Sequence, residues 1–123
     1  MSWDAYLEDD RGHIEGEWNY THNCNSMANA VLDVDYEQRS VPEEVFKFKD
    51  KEHVSWYRKL DGLSGPEGAK FLDKIIKGLE AEPERFVAMN PPNGWGDYET
   101  FLGTLVSMRD CVPEWPTRWS TSG

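Results

Sequence analysis

Cysteine is scarce in this chain: only Cys24 and Cys111 occur, far apart and without Cys-x-x-Cys spacing. That excludes a disulfide framework and points to reduced thiols in a cytoplasmic setting. No N-terminal apolar run resembles a signal peptide, and no stretch approaches the roughly 18–20 apolar residues of a membrane span, so no membrane partner is expected. Basic residues are few, 13 Lys and Arg against 23 Asp and Glu, for a formal net charge of −10. Phosphate backbones are gripped by Lys and Arg that displace counterions, so direct nucleic-acid binding is not expected. Glycine-rich phosphate loops are missing as well, because Gly94-Trp95-Gly96 has no third glycine or lysine at the required place. His22 and Cys24 are two apart, but no second pair follows at zinc spacing, and Asp33 with Asp35 lacks the calcium-loop pattern. Neither a metal nor a cofactor is expected.

Aromatic residues are what the chain has in quantity: six Trp, five Tyr and five Phe offset a hydrophobic content of only 38%. At 123 residues one domain, 1–123, is expected. Trp3, Ala5 and Leu7 alternate with Asp4, Tyr6 and Glu8, the period of a half-buried strand, and Asp9-Asp10-Arg11-Gly12 supplies a turn. A second alternating run, Ile14 to Asn23, makes a hairpin, with Ile14, Trp18, Tyr20 and His22 facing one way and Glu15, Glu17, Asn19, Thr21 and Asn23 the other. A short helix should open near Met27 and end by Asp33, residues 33–50 read as a loop with a turn near Pro42, and His53 to Leu60 as one more short helix. Ser64 or Gly65 caps the clearest helix, with Phe71, Leu72, Ile75, Ile76 and Leu79 at a period of about 3.6 residues. Pro83 restarts a short turn, Asp97 caps a last helix through Met108, and Thr117 to Ser120 form a terminal edge strand. The expectation is an α+β fold: a small antiparallel sheet, hairpin plus C-terminal edge strand, covered on one face by about four helices. Trp95, Trp115 and Trp119 are expected at a pocket or interface, and the edge strand offers a route to a homodimer by strand pairing.

Two polar stretches stand out, each just before a helical pattern. In the first, Asn19, Thr21 and Asn23 share a strand face, with Asn25 just beyond. Side-chain amides both donate and accept, so such a row can read a small polar ligand, or it can simply cap the following helix. In the second, Asn93-Gly94-Trp95-Gly96-Asp97-Tyr98, two glycines free the backbone around a tryptophan. Trp95 is then either a stacking platform beside Asn93, Gly94, Gly96 and the amides before Tyr98, or a plug in the core. Two helix N-termini facing one pocket would favour an anion or a nucleotide-like ligand. No catalytic residues are assigned: Asp97, His22 and Cys24 carry suitable chemistry, but no orienting group or oxyanion motif accompanies them.

These motifs carry a resemblance. The chain is similar to a loose family of small uncharacterised proteins from actinobacteria, their phages and other prokaryotes. They share a W-x-x-Y-L opening, here Trp3 to Leu7, an N-x-T-x-N strand end, here Asn19, Thr21 and Asn23, and an N-G-W-G-x-Y helix start, here Asn93 to Tyr98. The resemblance implies a prokaryotic or phage setting, the host cytoplasm if phage-encoded, and a common polar site; it implies no activity.

Two function classes follow. One is a non-enzymatic module for a small polar ligand, built from Asn19, Thr21, Asn23, Asn25, Asn93, Gly94, Trp95, Gly96 and Tyr98. The other is an acidic interaction module or inhibitor that occupies a basic face of a partner protein. Its carboxylates are scattered, as in Asp9-Asp10, Glu43-Glu44 and Glu80-Glu82-Glu84, rather than set in the rows of a DNA mimic.

Overall fold

The computed structural model describes residues 2–32 and 55–123. The expected loop and turn at 33–50, Asp33 with Asp35, and the start of the expected helix at His53 lie outside the described residues. Among these residues the chain runs β1 (Ser2–Asp9), β2 (Ile14–Thr21), a 3-10 turn (His22–Cys24), α1 (Asn25–Val31), α2 (Trp56–Leu60), α3 (Gly65–Ala81), α4 (Pro83–Val87), α5 (Tyr98–Asp110) and β3 (Thr117–Ser122). The fold is α+β, with a sheet in the order β2-β1-β3, antiparallel throughout.

β1 is central, paired with β2 on one edge and β3 on the other, and its alternation is strict: Trp3, Ala5 and Leu7 are fully buried, while Asp4, Tyr6 and Glu8 are partly exposed on the opposite face. Asp9 closes the hairpin turn, its Oδ1 accepting the Arg11 and His13 N–H groups at 2.9 and 2.8 Å. The register departs from simple alternation at one place. Leu7 is opposite Gly16 but Glu8 is opposite Ile14, so a bulge leaves Glu15 without a partner. Trp18 and Tyr20 therefore join Trp3 and Ala5 on the core face as expected, but Ile14 does not share that face. It is rotated onto the outer face with Glu8 and is 55% exposed. Gly16 takes the core-facing position, where the Trp18 indole occupies the place of any side chain.

Local capping sets the helices. Ser64 Oγ accepts from Glu67 N–H at 3.2 Å to open α3, and Asp97 Oδ1 accepts from Thr100 N–H at 2.8 Å to open α5. Leu72, Ile75, Ile76 and Leu79 of α3 and Tyr98, Phe101, Leu105 and Met108 of α5 bury the apolar stripes, and Arg109 joins the two helices to Asp73 at 2.8 Å. An aromatic cluster fills the space over the sheet. Trp56 meets Trp3 edge-on at 5.0 Å and Phe101 at 5.8 Å. Trp95 and Trp115 are exposed, but Trp119 is not: at 1% exposure it faces the core opposite Leu7 and donates to Gly65 O at 3.3 Å.

β3 runs two residues beyond the expected Ser120. Its outer side is already engaged, because Trp119 N–H donates to Leu63 O and Gly62 N–H to Trp119 O, both at 2.8 Å, and Thr121 N–H donates to Asp61 Oδ1 at 2.8 Å. Strand pairing between two copies along this edge would have to displace residues 61–64.

Candidate ligand-binding site

The site forms where β2 ends. Asn19 and Thr21 point to the outer face, across from Asp4 and Ser2. Asn19 is fixed by its own Nδ2, which donates to Asp4 Oδ1 at 2.8 Å, Ser2 Oγ at 3.0 Å and Trp3 O at 3.3 Å, leaving its Oδ1 directed elsewhere. Strand alternation stops at Thr21. The chain then tightens into the 3-10 turn, with Thr21 Oγ1 accepting the Asn23 N–H at 3.3 Å. The turn separates His22, half-buried at the surface, from Cys24, fully buried in the core, two residues that continued alternation would have placed on one face.

The loop between α4 and α5 arrives from the other side. Asn90 Oδ1 accepts Tyr98 N–H at 2.8 Å, and Asn93 Oδ1 accepts Trp95 N–H at 3.0 Å, both short-range loop bonds of the kind asparagine makes. Gly96, at φ +86°, passes against β2 so closely that a Cβ there would stand 2.7 Å from Thr21 Cγ2 and 2.9 Å from the Tyr20 hydroxyl oxygen. That hydroxyl secures the loop. It accepts from Asp97 N–H at 3.0 Å and lies 2.7 Å from Thr100 Oγ1. At the rim Asn23 Nδ2 donates to Trp95 O at 3.2 Å and reaches Asn93 Oδ1 at 3.5 Å.

The two Asn-rich stretches therefore meet in space. Between them lies a cavity of ≈ 510 Å³, lined by Ser2, Asn19, Thr21, His22, Asn23, Asn93 and Trp95. Its size falls within the roughly 300–1,000 Å³ of small-molecule pockets. Trp95 stands at its edge 70% exposed. Among the described residues, Asn19 Oδ1, Asn23 Oδ1, Asn93 Nδ2 and Trp95 Nε1 make no hydrogen bond, so acceptors and donors are both available.

The other expected site residues take different places. Asn25 is buried; its Oδ1 accepts from Trp56 Nε1 and its Nδ2 bonds His22 Nδ1, each at 2.9 Å. Tyr98 is buried and donates to Leu79 O at 2.8 Å, while Gly94, at φ +75°, and Gly96 shape the loop rather than line the cavity. Ser2 and His22 line the cavity without having been expected there. The hairpin register, which sets Ser2 opposite Thr21, is the signal that locates Ser2.

The electrostatics follow from these bonds. No Lys or Arg is among the described residues that line the cavity. The N-terminal amides of α5 are already spent on Asn90 and Asp97. The Trp56 indole can only donate, so the Asn25 oxygen must face it and the Asn25 amide nitrogen must face His22; His22 Nδ1 is then an acceptor and the ring is neutral. Burial holds the His22 pKa below its ordinary value, with nearby positive charge acting in the same direction. Burial also pushes the Cys24 thiol up, away from the reactive thiolate, and the Thr100 N–H holds the Asp97 carboxyl down as a helix cap. Each of the three residues with catalytic chemistry is thus engaged structurally. Among the described residues no group of three or more His, Cys, Asp or Glu side chains could hold a metal ion. No described helix is long and apolar enough to cross a membrane. No protein-family model, curated protein or solved structure matches the chain.

Proposed function

We propose that the protein is a non-enzymatic binding module for a small polar molecule held between the end of β2 and the 91–97 loop. The observation that carries this reading is the meeting of Asn23 with Asn93 and Trp95, some 70 residues apart in sequence, over a cavity rimmed by unspent amide groups. A pure helix cap would consume those groups locally. The engaged α5 amides support an uncharged ligand over an anionic one. In the phage or actinobacterial setting that the resemblance implies, the module would sequester or sense a host metabolite in the cytoplasm. Replacing Asn23 and Asn93 together with Ala should remove two hydrogen-bonding groups worth on the order of 1 kcal/mol each, weakening ligand binding roughly thirtyfold while thermal unfolding stays cooperative. Unchanged affinity in that variant would remove the site from consideration.

A second reading has its own support. The outer face of the sheet presents Asp4, Glu8 and Glu17 around Tyr6, with Arg118 as the cation among its described strand residues. A basic protein surface would complement it. Binding of that kind weakens steeply with salt, and affinity unaffected by added NaCl would rule it out.

A further inference from the structure

We infer that the cavity takes an uncharged saccharide, with one sugar ring against the Trp95 indole and its hydroxyls on Asn19, Asn23 and Asn93. This rests on the binding-module reading and goes further in naming the ligand's chemistry.

Charge is the first discriminator. A phosphorylated or carboxylated ligand needs a cation or free backbone N–H groups. The lining supplies Ser2, Asn19, Thr21, His22, Asn23, Asn93 and Trp95, and the histidine is neutral in its hydrogen-bonded state. The helix starts beside the cavity have N–H groups already engaged: in the 3-10 turn Asn23 N–H is held by Thr21 and Asn25 N–H by His22 O, and at α5 Tyr98 N–H is held by Asn90, Thr100 N–H by Asp97 and Asp97 N–H by Tyr20. Asp4 bonds Asn19, and the chain carries −10 overall, which opposes an anion at long range, while positive charge acts locally on His22.

The second discriminator is the difference between the two walls. Trp95 is the one aromatic side chain apart from His22 among the described lining residues, and at 70% exposure its ring is open to a ligand. The wall from the strands is hydroxyl and amide, from Ser2, Asn19 and Thr21. A nucleobase has two apolar faces, and here one of them would lie against hydrogen-bonding groups. A sugar ring has an apolar C–H face and a rim of hydroxyls, which suits one indole and one polar wall.

The third is hydrogen-bond character. The available groups are acceptors at Asn19 Oδ1 and Asn23 Oδ1 and donors at Asn93 Nδ2 and Trp95 Nε1, with the Thr21 hydroxyl able to donate while it accepts from Asn23 N–H. Hydroxyls donate and accept at once, so adjacent sugar hydroxyls satisfy such a mixed set in more than one order.

The test is a glycan array of neutral and acidic oligosaccharides, followed by calorimetry with the retained sugars and, as comparators, adenosine and adenosine monophosphate. The expected result is retention of a neutral saccharide, a loss of at least tenfold in affinity for Trp95→Ala with Trp95→Phe intermediate, and little change between low and high NaCl. Adenosine bound in place of any sugar, and lost in Trp95→Ala, would overturn the saccharide inference and leave the pocket reading intact. Preference for the monophosphate or for acidic glycans, weakening with salt, would overturn the uncharged assignment. Retention of no sugar at all would also overturn the inference, and the pocket reading would then be judged separately by the Asn23 and Asn93 variant against whole metabolite extract.

Discussion

The Tyr20 hydroxyl and the missing Cβ of Gly96 together hold the 91–97 loop on the end of β2. Tyr20→Phe keeps the ring contacts with Trp3 and Phe101 but strands the Asp97 N–H, at a cost of about 1–3 kcal/mol. Faster amide exchange confined to residues 91–97 and weaker ligand binding are the expected readouts; exchange unchanged there would refute the clamp. Gly96→Ala should be destabilising by a similar amount, because it combines a positive φ with the approach to Thr21 and Tyr20. His22 brings a pH dependence. Its folded pKa lies below its unfolded value of about 6.5, so the unfolded chain binds the proton more readily. The stability it contributes is complete above that value and is lost as pH falls below it, where a protonated Nδ1 would oppose the Asn25 Nδ2 donor. Urea midpoints between pH 7.5 and 5.5 should fall for the wild type and flatten in His22→Phe; identical slopes would exclude His22 as the cause.

At the scale of elements, the sequence is most legible where a bond is local. Ser64 and Asp97 cap their helices from three residues away, and both starts could be read directly; Ser64→Ala should cost about 1 kcal/mol, a few degrees in melting temperature. Legibility fails where a distant partner decides. Ile14 turns outward because a bulge at Glu15 shifts the register, which alternation cannot announce. Trp119 is interior because the register sets it opposite Leu7 on the core face, with its ring seated against Gly68 of α3, and Asn25 is structural because Trp56, with its indole N–H needing an acceptor, arrives from α2. The candidate site shows both sides of this. Asn19, Thr21, Asn23, Asn93 and Trp95 were readable as polar or aromatic residues in loop and strand-end positions, but Ser2 and His22 join them only through the hairpin register and the 3-10 turn.

For the whole molecule, the balance is between a dense aromatic core on one face of the sheet and an acidic, open face on the other. The core tolerates little change: Trp3→Ala or Trp56→Ala should cost about 3–5 kcal/mol and threaten folding. The binding account places function at the end of β2, and its most direct test is native mass spectrometry of the protein incubated with a bacterial metabolite extract, wild type beside the Asn23→Ala, Asn93→Ala variant. The account predicts a stoichiometric added mass on the wild type, lost on denaturation and missing from the variant. Identical spectra for the two proteins, both without added mass, would contradict it.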